Sequence, residues 1–179
     1  MNMKLTKEIS SLKNGESMLI ITKKENYFEK INEILWTMTK KEKKDGIYIS
    51  ISKPYSKILK NLKGFEKDKV LFLDAISKGL NENIESDNRV QLQGPTSLTE
   101  LGICITKAAL KGRLGFIILD SLSGVLNYNS EKTTIRFIQY LLSKIKSYEL
   151  AGIIFIETED KSKPAIKIIG DLVDKTLKT

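Results

Sequence analysis

Short apolar runs alternate with amphipathic stretches along this chain of 179 residues. Strands that are buried on both faces of a sheet have this nearly continuous apolar character, and a helix between successive strands allows them to pair in parallel. The pattern therefore predicts an α/β fold of three layers, with a mostly parallel central sheet flanked by helices. The candidate strands are Met18–Thr22, Gly46–Ile51, Val70–Asp74, Gly115–Leu119, Gly152–Ile156 and a weaker run, Val173–Leu177.

The stretches between these runs carry apolar residues at helical spacing. Ser97 and Glu100 form the pattern of a capping box before the third stretch, and Ser130 is a candidate N-cap for the fourth. The polar, Asn-rich segment 78–89 is interpreted as a surface loop. The predicted helices cover 27–38, 55–62, 98–109 and 135–145.

Composition excludes several classes of function. The chain has no histidine and one cysteine, so catalysis by a Ser-His or Cys-His pair and an intrachain disulfide are both excluded. Cys104 lies in an apolar helical pattern and is expected to be a buried, inert thiol. The length favours a single domain spanning 1–179, and the lack of an apolar run of about 18 residues predicts no membrane association. The single cysteine and an N-terminus without the apolar core of a signal peptide favour a cytoplasmic protein.

Acidic residues stand at the carboxyl ends of predicted strands, where open α/β sheets bind their ligands. Asp120 follows four apolar residues and is a candidate for holding magnesium; alternatively, it accepts backbone N–H bonds in a turn. Asp74 and Glu157 could join it in a metal site. The simpler interpretation is that these acids cap the helices that follow, so no metal site is predicted.

The segment after the first strand lacks the residues of a phosphate-binding loop. No glycine occurs between Glu16 and Asp45, and the strand end at Thr22 continues into Lys23 and Lys24. A phosphate cradle needs glycines, because successive backbone N–H groups must turn inward on the anion. Tyr27 and Phe28 follow this segment; they could stack on a base, or one of them could cover the crevice or pack on the sheet.

The order of several segments resembles the RecA/KaiC-type ATPases, especially the archaeal KaiC-like group. Phe116–Ser123 is similar to the Walker B strand of that family, and it is the individually diagnostic segment. The other similar segments are Gly46–Pro54, Val70–Ser77 and Leu172–Leu177. The resemblance implies a RecA-like domain over nearly the whole chain.

The departures from that family concern the parts that carry out hydrolysis. The loop lysine and the magnesium-binding hydroxyl have no counterpart, and Ser52 and Lys53 stand where the resemblance implies two catalytic glutamates. We therefore expect a non-catalytic, degenerate member that needs no cofactor and has no catalytic residues. Its vestigial nucleotide-binding positions are Thr22, Lys23, Lys24, Asp120 and Ser121.

The expected role is regulation or protein interaction through an unidentified protein partner, as a monomer or dimer. One alternative is an ATPase that binds ATP and magnesium through an unconventional loop, which the presence of Asp120 supports. Another alternative is a DNA-binding accessory protein similar to recombinase paralogues, which the net charge of +8 motivates. Lysine supplies most of that positive charge, which is more typical of a solvated coat than of specific base readout.

Overall fold

The computed structural model describes residues 3–82, 84–112, 114–160 and 163–179. Within these ranges the chain forms one seven-stranded sheet with the order β4-β3-β2-β5-β6-β1-β7, and every neighbouring pair is parallel. The predicted α/β fold is therefore confirmed. The strands are β1 Ser17–Thr22, β2 Asp45–Ser50, β3 Val70–Asp74, β4 Arg89–Gln91, β5 Leu114–Asp120, β6 Ala151–Glu157 and β7 Lys175–Lys178.

Helical segments lie between successive strands, as parallel pairing requires. Between β3 and β4 the described connection contains only a 3₁₀ turn, Ser77–Leu80. The four predicted helices are present, and the described residues form three additional ones at Met3–Ser10, Leu122–Tyr128 and Pro164–Leu172. Short 3₁₀ turns and one π-helical turn, Thr37–Lys41 after α2, complete the described elements. The α-helices are α1 Met3–Ser10, α2 Tyr27–Trp36, α3 Tyr55–Asn61, α4 Leu98–Lys111, α5 Leu122–Tyr128, α6 Glu131–Ser147 and α7 Pro164–Leu172. In the described part of the chain, no helix has both the length and the apolar character needed to cross a membrane.

Successive strand residues point to opposite faces of the sheet, and each face has its own apolar core. In β5, Phe116 and Ile118 pack on one face, whereas Ile117 and Leu119 pack on the other. Helices α1, α2 and α3 cover the first face, and α4, α5, α6 and α7 cover the second. Because both faces are buried, the central strands are apolar throughout, which is why they could be recognised in the sequence.

Some local predictions need correction. Ser97 makes no capping hydrogen bond, and Glu100 instead accepts from the backbone N–H of Gln93 at 2.9 Å, so the predicted capping box is wrong. The predicted cap at Ser130 is confirmed, because its hydroxyl accepts from the N–H of Thr133. Cys104 is only partly buried, although burial does raise the pKa of its thiol.

The edge strand β4 was not predicted. It is three residues long, and its first residue, Arg89, closes the segment that we interpreted as a loop. The Arg89 guanidinium lies 2.7 Å from the Asp74 carboxylate at the end of β3, and both side chains are almost fully buried. This ion pair attaches the polar strand β4 to β3. A strand held by polar side chains has no apolar periodicity, so the sequence pattern does not reveal it.

Glycine at position 46 of β2 leaves space for the aromatic ring of Phe116, its partner on β5. A Cβ atom on Gly46 would lie 2.5 Å from the ring carbons of Phe116, which is completely buried. A real Cβ does not approach other atoms so closely, so the ring or the strands would have to move. The glycine is therefore required by packing.

We expect Gly46→Ala to lower the free energy of unfolding by about 1–3 kcal/mol, the usual cost of forcing an extra carbon into a packed core. Urea unfolding followed by circular dichroism measures the change. Gly94→Ala is the matched control, because nothing lies within 4 Å of the added carbon there. Equal unfolding free energies for the two variants would contradict this account of the β2–β5 contact.

Candidate functional site

Asp120 is the last residue of β5, which lies between β2 and β6 in the sheet. Its side chain is completely buried, and it lies on the face covered by α2, since strand residues alternate along β5. A buried carboxylate needs hydrogen-bond donors or a counter-ion to offset the loss of hydration. The chain supplies these partners itself, from β2, the β2–α3 connection and α2.

Two tyrosine hydroxyls donate to the carboxylate. Tyr27, the first residue of α2, donates to Oδ1, and Tyr48 of β2 donates to Oδ2. Both side chains are buried, and the Tyr27 ring packs 5.4 Å from the ring of Phe155 on the neighbouring strand β6. The interpretation that one of the aromatic residues after β1 packs on the sheet is therefore confirmed for Tyr27.

Lys53 provides the counter-ion. Its ammonium lies 3.2 Å from Oδ1 of Asp120, and its side chain is only 13% exposed. The same ammonium lies 3.8 Å from the centroid of the Tyr27 ring, within the range of a cation–π contact. The Ser50 hydroxyl donates to the main-chain carbonyl of Lys53 and so holds this residue at the end of β2. We refer to Tyr27, Tyr48, Lys53 and Asp120 as the Asp120 cluster.

The electrostatics of the cluster keep both phenols protonated. Burial raises the pKa of Tyr27 well above its ordinary value of 10, and the negative charge of Asp120 raises it further. Burial and the Asp120 charge raise the pKa of Tyr48 in the same way. Protonated phenols can donate hydrogen bonds, so these shifts and the hydrogen bonds to Asp120 support each other.

In the described part of the chain, the side chains of the other four predicted site residues donate no hydrogen bond to the Asp120 carboxylate. Thr22 is completely buried at the end of β1, and its hydroxyl lies 3.5 Å from its neighbour's carbonyl. Lys23 and Lys24 are exposed at the start of a 3₁₀ turn. Ser121 is buried and caps α5 by accepting from the N–H of Gly124 at 3.2 Å. Of the five positions, Asp120 alone has its side-chain oxygens at the centre of a polar cluster.

The acids at the strand ends do not form a metal site among the described residues. No group of three or more histidine, cysteine, aspartate or glutamate side chains there is placed to hold a metal ion. Asp74 accepts from the backbone N–H groups of Ile76 and Ser77 and pairs with Arg89. The interpretation that these acids cap the helices that follow is thus confirmed for Asp74, which precedes the 3₁₀ helix Ser77–Leu80.

Sequence reasoning did not assign Tyr48 or Lys53 to Asp120. The alternation along β2 was available as a signal, because it places Tyr48 on the α2 face beside β5. The register, which pairs Tyr48 with Ile118 and Ser50 with Asp120, could not be read from the chain. Lys53 lies in a connection, and its position depends on the path of the backbone after β2.

The fold is that of KaiC-like proteins. The KaiC-like protein PH0186 from the hyperthermophilic archaeon Pyrococcus horikoshii OT3 matches with a TM-score of 0.66 and 9% identity, over 94% of this chain and 76% of that one. The uncharacterized protein PH0321 from Pyrococcus horikoshii, in complex with an unknown peptide, matches with a TM-score of 0.69 and 18% identity, over 98% and 82% of the two chains. At these identities the similarity establishes the fold alone.

The chain belongs to a family of unknown function, DUF7504, whose model matches residues 73–179. This range includes β5, Asp120 and every element that follows. No curated protein matches the sequence.

Proposed function

We propose that this protein is a non-catalytic RecA/KaiC-like domain, a pseudo-ATPase that acts in regulation or protein interaction. The observation that supports the proposal most directly is the Asp120 cluster. The carboxylate that would organise magnesium in an active relative accepts from Tyr27 and Tyr48 and pairs with Lys53. A magnesium ion or its bound water would have to displace these donors from a buried site.

The residues after β1 also fit a nucleotide poorly. A polyphosphate cradle is built from consecutive backbone N–H groups in a glycine-rich turn, and no glycine occurs between Glu16 and Asp45. Lys23 and Lys24 are exposed, whereas Tyr27, at the start of α2, reaches Asp120. A protein that binds MgATP would need a different backbone and a different set of side chains here.

The residues in place of the catalytic glutamates are equally unsuited to hydrolysis. The Lys53 ammonium pairs with Asp120, and the Ser52 hydroxyl donates to the same carboxylate at 3.4 Å. A general base needs a pKa near the working pH and a free lone pair directed at the attacking water, and neither lysine nor serine ordinarily has these properties at neutral pH. We infer that binding and hydrolysis of ATP have been lost together.

The interaction part of the proposal has separate support. PH0321 has the same fold, and its structure is of a complex with an unknown peptide. In this chain several large apolar side chains remain exposed on helices, among them Ile103, Leu110 and Ile168. A domain that keeps a stable α/β scaffold without its chemistry can serve as a binding platform, because function resides in surface sites on the fold.

Titration with MgATP tests the proposal directly. We expect isothermal titration calorimetry to give no saturable heat at ATP concentrations up to about 1 mM, and phosphate release to stay at the level of buffer. Two structural features would each prevent nucleotide binding: the Tyr27 side chain at Asp120 and the loop without glycine. Tyr27→Ala tests them separately, since it removes the first and leaves the second. If the missing cradle is decisive, this variant also fails to bind, provided that circular dichroism shows it to be folded.

Micromolar affinity of the unmodified chain for MgATP would overturn the proposal. Phosphate release that disappears in Asp120→Ala would favour the alternative of an ATPase with an unconventional loop. Binding gained only in Tyr27→Ala would leave the unmodified protein non-catalytic but would identify Tyr27, rather than the loop, as the cause.

A further inference from the structure

A groove of about 640 Å³ lies between α4 and α6, on the face of the sheet opposite the Asp120 cluster. Its apolar surface comes from Leu98 and Ile103 on α4 and from Phe137 and Tyr140 on α6. Ile103 is 50% exposed and Tyr140 is 37% exposed, so both present apolar surface to solvent. The volume lies within the range of sites that bind ligands or side chains of a partner.

The groove is held in shape by a specific contact between the two helices. The Tyr140 hydroxyl donates to the main-chain carbonyl of Gly102 at 3.1 Å and lies 3.2 Å from the Thr106 hydroxyl. A Cβ atom on Gly102 would lie 3.1 Å from the Tyr140 ring, so glycine allows the ring to sit against α4. The base of the groove is therefore formed before any partner binds, which reduces the entropy cost of binding.

Helix α4 carries apolar residues on two faces. Leu101 and Ile105 are buried against the sheet, as in any amphipathic helix of this architecture. Ile103 and Leu110 point away from that core and are 50% and 73% exposed. Their spacing of seven residues, with Lys107 between them, places all three on one outward face. In the described part of the chain, neither Ile103 nor Leu110 belongs to the apolar core of this face or to the partly buried residues packed against it.

The charged side chains that line the groove are all positive. Lys107 from α4 and Arg136 from α6 line it, and no aspartate or glutamate is among its lining residues. Within the described ranges neither cation forms an ion pair with a carboxylate. An apolar surface bordered by two such cations complements a partner that is apolar at its centre and acidic at its margins.

We propose that the α4–α6 groove is the docking site for an acidic, amphipathic segment of a protein partner, which inserts apolar side chains beside Ile103 and Tyr140. This inference rests on the proposed interaction function and specifies its surface. A second copy of this chain fits less well, because each copy carries a net charge of +8 and would bring Lys107 and Arg136 toward like charges.

A displayed library of random 16-residue peptides, selected on the full chain, is the probe. We expect the enriched peptides to carry net negative charge and apolar residues at helical spacing. A fluorescently labelled enriched peptide then gives affinities by anisotropy. The double variant Lys107→Glu/Arg136→Glu should weaken binding by about tenfold or more, because it places acids opposite acids.

Two matched controls separate the groove from general surface effects. Lys57→Glu/Lys60→Glu makes the same change in net charge on α3, on the opposite face of the sheet, and should leave affinity within about twofold. Ile103→Ser should weaken binding by about tenfold, whereas Ile168→Ser should not. Ile168 on α7 is 48% exposed and thus matches Ile103 in exposure, but it lies outside the groove.

Three outcomes would overturn the proposal that the groove is this docking site. They are the absence of enriched peptides, enrichment of neutral or basic peptides, and equal effects of the groove and control variants on affinity. Light scattering that shows a dimer dissociated by Ile103→Ser would assign the groove to a second copy instead. Failure of the proposed function is separate, because MgATP binding by calorimetry would refute the pseudo-ATPase while leaving peptide affinity and its dependence on Ile103 unchanged.

Discussion

Replacing Asp120 with alanine is expected to lower the free energy of unfolding by about 3–5 kcal/mol. The variant leaves the Lys53 ammonium, only 13% exposed, without its carboxylate, and it removes the acceptor of two buried tyrosine hydroxyls. Removing one partner of a buried, hydrogen-bonded ion pair is among the most destabilising single substitutions, because the other charge stays buried without its partner. Chemical denaturation with urea, followed by circular dichroism, measures the loss.

This result bears on function as well as on stability. A carboxylate kept for metal chemistry sits in a site that is not optimised for stability, so removing it commonly costs little or even stabilises the protein. Asp171→Ala is the control, because Asp171 is exposed on α7 and its loss should change stability by less than about 0.5 kcal/mol. An Asp120→Ala variant as stable as this control would contradict the assignment of Asp120 to a structural cluster.

The second large effect is expected at alkaline pH. Both Tyr27 and Tyr48 have a pKa raised above the ordinary value of 10, so between pH 10 and their folded-state pKa values the unfolded chain releases protons that the folded chain keeps. Stability from these groups is complete below pH 10 and is lost as the pH rises above it. Each tyrosine contributes a slope of about 1.4 kcal/mol per pH unit, and the pair about 2.8.

Urea unfolding at several pH values from 9 to about 11 measures this slope, and variants identify its source. Tyr27→Phe/Tyr48→Phe should have a flatter dependence on pH, whatever its stability at neutral pH. Tyr128→Phe should retain the full slope, because Tyr128 is 49% exposed. A double variant that loses stability with pH as steeply as the unmodified protein would show that proton release from these two phenols on unfolding does not cause the slope.

Together these predictions separate the two interpretations of Asp120. If the residue is structural, Asp120→Ala unfolds easily and MgATP does not bind. If the residue still serves nucleotide chemistry, the unmodified chain binds MgATP, and the cost of Asp120→Ala in stability is small. The calorimetric and denaturation measurements are independent, so agreement between them would support one interpretation of Asp120 on two separate grounds.

The sequence by itself determined the architecture, because that follows from local periodicity. Strands β1, β2, β3, β5 and β6 are buried on both faces, so their apolar runs are nearly continuous, and even the weaker run at Val173–Leu177 corresponds to β7. It also determined that residues 17–44 contain no glycine with which to build a phosphate loop. These features depend on residues that are neighbours in the chain.

The tertiary structure alone decided what Asp120 contacts. Tyr27, Tyr48 and Lys53 lie 93, 72 and 67 residues from it in the chain. The parallel register of β2 with β5 places Tyr48 beside Asp120, the path of the backbone after β2 places Lys53, and the packing of α2 on the sheet places Tyr27. Tertiary structure likewise brings Arg89 of β4 to Asp74, fifteen residues away in the chain. It also brings α4 and α6 together to form the groove. Long-range pairing of polar groups leaves no periodic signal in the chain, because it depends on how the helices and strands pack rather than on local propensity.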